Sequence, residues 1–198
     1  MNIVHMVNRE KLKQVVLDHA FQTLKEKGVA EIRIRSLAKA SDCAVGSIYN
    51  LFDDLDDILF HLNLRALKEL FYMLHTNLED GIKAHLSIEE ILPRLGWVYI
   101  DFGRENYHLW KSIFESAPAS KIPSWYQAEI AKNMRQFEKI LQEGYQLSEE
   151  KATQLINYFW FAIHGVSSIL LNRKATDHSE DFLNSYVNHC LRGIQKFI

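Results

Sequence analysis

Apolar residues recur at helical spacing along nearly the whole chain, and no segment alternates convincingly as a half-buried strand does. Three prolines and eight glycines in 198 residues are too few breakers for a loop-rich all-β fold. The pattern predicts about nine helices and an all-α fold. Asn8 is a candidate cap for the first, with Leu12, Val15, Val16, His19, Ala20 and Leu24 as its stripe and Gly28 at its end. Short helices follow at Ile34–Ala40 and Val45–Leu51, separated by Ser41–Ala44. Asp53, with Asp56 three residues on, is expected to open a long fourth helix reaching about Leu78, with Gly81 beyond it. Ser87 and Glu90 box the fifth, with Ile91, Leu95, Val98 and Phe102 inward and a kink at Pro93. The sixth starts near Asn106, the seventh runs from Ser124 to Glu143 before Gly144, and Ser148 caps an eighth to about Asn172. Asp177 and Glu180 box the ninth.

The organisation changes near position 53, from three short helices to six longer ones rich in aromatics. This divides the chain into residues 1–52 and 53–198. Apolar residues make up 47%, enough for a substantial core. Cys43 and Cys190 lie far apart and read as free thiols of a reducing compartment. Met1–Val7 is too short for a signal peptide. The most apolar stretch, Tyr158–Leu171, falls short of the ~20 residues a bilayer span needs. A cytoplasmic protein without a membrane partner is therefore expected. The net charge of −2 does not itself point to nucleic acid. Residues 1–40, however, carry eight basic side chains against four acidic ones, a modest footprint that also fits a solvated helix face. An acidic knot, Asp53, Asp54, Asp56 and Asp57, follows.

The segment from Ile32 to Phe52 is the most informative. Small Ala38 permits close helix approach, and Cys43 and Ile48 pack inward. Val45, Gly46, Ser47, Tyr49 and Asn50 are left facing out. By spacing alone this fits either a helix-turn-helix or an ordinary αα-hairpin. The run Val45-Gly46-Ser47-Ile48-Tyr49-Asn50-Leu51-Phe52, followed by an acidic helix start, resembles the recognition-helix signature of the tetracycline-repressor (TetR) family. Gly28 and the Leu37-Ala38 helix match the preceding part. Trp160 and the pair His164-Gly165 resemble the family's WHG subgroup.

The resemblance implies an N-terminal helix-turn-helix DNA-binding domain and a C-terminal helical ligand-binding and dimerisation domain. It makes double-stranded DNA, a palindromic operator, the partner, and the protein a repressor released by a small molecule. Ser47 and Tyr49 would hold phosphates, Gly46 would let the helix approach the backbone, and Val45 and Asn50 would meet base edges. Arg35 would reach a phosphate or a base. Four positions depart from the pattern. Asp42 stands for the usual turn glycine, Arg33 for a capping hydroxyl, Leu51 for a phosphate-binding His and Leu55 for a Lys. Weaker nonspecific DNA affinity is expected.

The C-terminal half holds all four tryptophans. Aromatics at helical spacing are ordinarily core, but the resemblance implies a cavity between the fifth and eighth helices. Its candidate lining is Trp97, Phe102, Phe114, Trp125, Phe137, Trp160 and His164. His164 reads either as a satisfied core residue or as a ligand's polar partner. The last two helices carry apolar stripes wider than one core face. The resemblance implies a four-helix homodimer interface there, through Phe159, Val166, Leu170, Leu183, Val187, Cys190 and Leu191. No GxSxG, HExxH, Walker or GxGxxG pattern occurs, and the nine histidines show no ligand spacing. Neither an enzyme nor a cofactor or metal site is expected. The competing reading is a helical interaction or ligand-binding protein of the same fold that has lost operator binding.

Overall fold

The computed structural model describes residues 3–174, 180–194 and 196. Among these there is no strand. The helices are α1 (Ile3–Lys27), α2 (Ile34–Ala40), α3 (Val45–Tyr49), α4 (Leu55–Lys83), α5 (Ile88–Glu105), α6 (Tyr107–Phe114), α7 (Ser124–Tyr145), α8 (Glu149–Leu171) and α9 (Glu180–Ile194), with a 3₁₀ turn at Val29–Glu31. The all-α expectation and the helix order hold.

The differences lie at helix ends. α1 starts at Ile3, so Asn8 lies inside it and caps nothing. α3 stops at Tyr49, two residues early. α4 continues through Gly81 to Lys83, and α7 continues through Gly144 to Tyr145. In both cases packing outweighs the helix penalty of glycine: a Cβ on Gly81 would overlap Ile91, and one on Gly144 would overlap Ile82. α5 runs unbroken through Pro93. The cap of α4 is Asp54 rather than Asp53: Asp54 Oδ1 accepts the Asp57 N–H at 2.8 Å, and Asp57 Oδ2 accepts the Asp53 N–H at 3.3 Å. At α5, Glu90 Oε2 accepts the Ser87 N–H at 2.8 Å and its hydroxyl at 2.9 Å. Ser148 Oγ accepts the Lys151 N–H and caps α8 as expected. The expected partner of Glu180 in a capping box, Asp177, lies outside the described residues.

Two compact units emerge. The first joins Met1–Leu67 with Asn106–Ala128, and the second joins Lys68–Glu105 with Glu129–Ile198. The core of the first unit gathers Val16, Ala20, Phe21 and Leu24 of α1, Leu37 and Ala38 of α2, Ile48 of α3, Phe52, Ile58 and Leu62 of α4's approach and start, and Leu109 of α6. Gly28, at φ +85°, ends α1 where a side chain would meet the His108 ring at 2.9 Å. Asn63 and Ser112 add a buried polar tie, the Ser112 hydroxyl donating to Asn63 Oδ1 at 2.6 Å.

The core of the second unit is built from Leu70, Leu74 and Leu78 of α4, Ile91, Leu95, Tyr99 and Phe102 of α5, Leu155, Phe159 and Ile163 of α8, and Leu183, Val187 and Leu191 of α9. Within it α4 and α7 run parallel. Lys68 pairs with Glu129 at 3.2 Å, the His75 and Phe137 rings lie 5.2 Å apart, and Ile82 packs on Gly144.

Candidate nucleic-acid interface, aromatic cluster and apolar face

α2 ends in a Schellman motif. The Cys43 N–H reaches the Ala38 carbonyl at 3.0 Å and the Asp42 N–H reaches that of Lys39 at 3.4 Å. Asp42 therefore sits at φ +49°, the left-handed conformation for which glycine is the usual residue and which aspartate tolerates better than most. The substitution leaves the turn intact. Arg33 precedes α2 without a side-chain cap and instead lies 3.8 Å from Glu31.

The turn delivers α3 with one anchored face. Ile48 is fully buried and Cys43 packs on the same core, while Val45, Gly46, Tyr49 and Asn50 are exposed and Ser47 is half-buried. Tyr49 is 58% exposed, far more than a tyrosine with a structural role needs. A Cβ built on Gly46 meets nothing within 4 Å. Arg35 is exposed on the first turn of α2. Leu51 and Leu55 pack against the first unit's core, which explains their apolar identity.

Two cations of the basic footprint in residues 1–40 have partners that the sequence did not reveal. Arg9 Nη2 donates to the Asn50 carbonyl at 2.9 Å, closing the C-terminus of α3, and Lys13 Nζ lies 5.2 Å from the Phe52 ring centre. Their spacing of four on α1 was legible, but the partners, 41 and 39 residues away, were not. Behind them His61 stacks on Trp125 at 4.5 Å and meets Phe52 edge-on at 5.9 Å. Burial, then nearby Lys13, pushes the His61 pKa down, with Asp57 opposing at 3.8 Å.

The expected cavity lining is dispersed. Phe114, tilted against Trp110, and Trp125, stacked on His61, belong to the first unit. In the second, Phe137 adjoins His75, Trp97 lies under the Arg104 guanidinium at 5.6 Å, and Phe102 is fully buried. Arg104 also pairs with Asp101 at 3.5 Å. Trp160 and His164 are brought together, their rings parallel to within 4° and 5.5 Å apart. The sequence reading missed their third member. The Tyr99 hydroxyl lies 3.0 Å from His164 Nδ1, and its fully buried ring meets Trp160 edge-on at 5.6 Å. Tyr99 was the available signal, four residues after Leu95 on the inward stripe of α5, where Val98 was expected instead. His75 is also buried, its Nε2 has no hydrogen-bond partner among the described residues, and burial pushes its pKa down.

Of the expected interface residues, Phe159, Leu183, Val187 and Leu191 are buried in the second unit's own core, and Val166, Leu170 and Cys190 are half-buried. The apolar face left outside carries Tyr158, Phe161 and Ile169 of α8 with Phe182 and Tyr186 of α9. Phe161 is 74% exposed. Gly165 lies between Phe161 and Ile169 at helical spacing, and a Cβ there would also meet nothing within 4 Å. On length and composition alone α8 could cross a membrane.

Residues 92–191 match the family profile described as tetracyclin repressor-like, C-terminal domain. No curated protein matches the chain. Among solved structures, a protein of unknown function from Rhodococcus sp. RHA1 aligns with a TM-score of 0.71 at 17% identity, covering 94% of this chain and 95% of that one. A TetR-family transcriptional regulator from Haemophilus influenzae RD, HI0893, aligns with a TM-score of 0.54 at 16% identity, covering 93% and 97%. At such identities these two likenesses speak for the fold.

Proposed function

This chain belongs to the tetracyclin repressor-like (TetR) family of transcriptional regulators, and on that premise we propose that it is a dimeric repressor whose operator binding is released by a small, mainly apolar ligand. The observation that carries the reading is α3. Ile48 is its buried side chain, and the exposed remainder offers a phenol, an amide and a glycine with open space above it. Ser47 and Tyr49 hold phosphates, Gly46 admits the DNA backbone, and Val45 and Asn50 read base edges. Arg35 adds a contact from α2. Residues 1–52 form the DNA-binding part, and the remainder senses and dimerises. A cytoplasmic location goes with this reading.

The exposed face of α8 and α9 supports a homodimer. Between Ala152 and Leu171 α8 carries no charged residue, so two copies can meet without electrostatic conflict. Gly165 gives two α8 helices room to cross closely, with Val166, Leu170 and Cys190 at the margin. Six residues of α8, from Ala152 to Ser167, pack inward, which supports its reading as one wall of a packed unit. A two-fold pair of α3 helices about one DNA turn apart, ~34–36 Å, suits a palindrome.

For the effector, the second unit offers the parallel rings of Trp160 and His164, with the buried Tyr99 set edge-on to them and its hydroxyl on His164, and Phe102, Phe137 and Trp97 belong to the same unit. Such a cluster favours an aromatic or largely apolar molecule bearing one polar group. The ligand acts only through unequal affinity for the DNA-competent and released conformations. No cofactor or metal is called for.

The experiment is a mobility shift with DNA from upstream of the protein's own gene. A discrete shifted band that competitor DNA leaves in place supports the reading. Absence of any shift while the chain is folded and dimeric favours the alternative, a ligand-binding protein of this fold without operator binding.

A further inference from the structure

Four carboxylates within five residues, Asp53, Asp54, Asp56 and Asp57, follow α3 directly, where they work against an approaching phosphate backbone. The fold puts them to internal use. Asp54 and Asp57 cap the first turn of α4 through one oxygen each, at 2.8 and 3.3 Å. Two further bonds reach this turn from the loop between α6 and α7. The Ser120 N–H donates to Asp56 Oδ2 and the Ser120 hydroxyl donates to Asp54 Oδ2, both at 2.6 Å. Both are charge-assisted and short, the strong kind of hydrogen bond. The Ser120 hydroxyl, ahead of the Asp57 amide, holds the Asp54 carboxyl below the usual carboxylate range.

Asp54 thus has one oxygen in the cap of α4 and the other on the loop. The Leu51–His61 stretch that follows α3 is gripped a second time where His61 stacks on Trp125, at the start of α7. With only five residues, α3 cannot hold its own place. Its position is set by Ile48, by Arg9 on the Asn50 carbonyl and by the segment running into α4.

We propose that Ser120 is a positioning residue for DNA recognition, latching the α6–α7 loop onto the first turn of α4 and so fixing the seat of α3. The inference rests on the DNA-binding reading above.

The test compares Ser120→Asp, which sets a third carboxylate against Asp54 and Asp56, with Ser116→Asp, the same charge elsewhere in the same loop. Both are made in the full chain. Amide hydrogen exchange is read over residues 45–60 and over α8. Affinity is read on a fluorescein-labelled duplex enriched by the wild type from a random library. Ser120→Asp is expected to speed exchange over 45–60 by about tenfold or more, leave α8 unchanged and weaken the duplex by about tenfold, while Ser116→Asp stays within about twofold on each. The double variant Asp54→Ser with Ser120→Asp exchanges donor and acceptor and is expected to recover most of the protection. Should Ser120→Asp fail to fold, Ser120→Ala gives the same pattern at smaller amplitude. Unchanged exchange over 45–60, or an equal change in Ser116→Asp, overturns the latch. If the wild type enriches no duplex, the DNA reading fails, and the exchange comparison still decides whether Ser120 positions α3.

Discussion

Gly46 costs α3 about 1 kcal/mol in helix stability relative to alanine. Neither its backbone conformation nor any neighbour calls for a missing side chain. On the proposed reading its use lies outside the chain, at the surface a DNA backbone would approach. Gly46→Ala is therefore expected to leave thermal stability equal or slightly raised while weakening DNA binding at least tenfold; a variant that binds as well as the wild type would remove glycine from the interface. Tyr49→Phe and Ser47→Ala are expected to weaken all duplexes alike, because phosphate contacts carry no sequence information. Asn50→Ala is expected instead to flatten preference at one base position, by on the order of 1–3 kcal/mol, in a selection over randomised sites. The reverse pattern would exchange the roles of Tyr49 and Asn50. His61 gives a pH signature. Its folded pKa lies below the ordinary 6.5, so the unfolded chain takes up the proton first. Stability is full above pH 6.5 and falls as pH drops toward the folded value; buried His75 adds in the same sense. Replacing His61 by Phe keeps the stack on Trp125 and is expected to reduce the loss of urea resistance between pH 7.5 and 5.5. An unaltered slope would mean that His61 does not titrate in this range.

At the scale of elements, the sequence disclosed most where the signal is local. The bounds of α2, the turn after it and the serine at the head of α8 followed from capping and periodicity. Helix ends went astray where distant packing decided them: Ile82 and Ile91 press on Gly144 and Gly81 and carry α7 and α4 past residues that usually end a helix. Choosing Asp53 over Asp54 as a cap was a one-residue ambiguity among adjacent carboxylates that only the hydrogen bonds resolve. Tyr99, Arg9 and Ser120 were hidden for one reason: each acts through a partner 41 to 66 residues away, and no short-range pattern encodes that pairing. α8 illustrates the other difficulty. A helix apolar on most sides does not say which side its own unit takes. Phe159 is taken inward and Phe161 is left out. Phe161→Arg is accordingly expected to yield a folded monomer, and Phe159→Arg an unfolded or aggregated chain, since it buries an unpaired charge. Sedimentation together with circular dichroism separates the two. Equal loss of fold in both variants would place Phe161 in the core instead.

For the whole molecule, α6 and the start of α7 pack with α1–α3 in one compact unit, although 50 or more residues of chain separate them from α3. Helical periodicity cannot show this interleaving, because it reports which face is buried and not against what. It makes α3 and the loop carrying Ser120 parts of the same unit, and it leaves the Trp160–His164–Tyr99 cluster in the other. The two-fold arrangement proposed for α8 and α9 doubles the DNA contacts and sets their spacing. The most direct test is sedimentation of the full chain with a duplex that it has enriched from a random library. The account predicts a palindromic enriched sequence and a complex of two 23.1 kDa chains per duplex, lost in Gly46→Ala at unchanged chain mass. A folded chain that enriches no sequence, or that binds one copy to a site without symmetry, would contradict it.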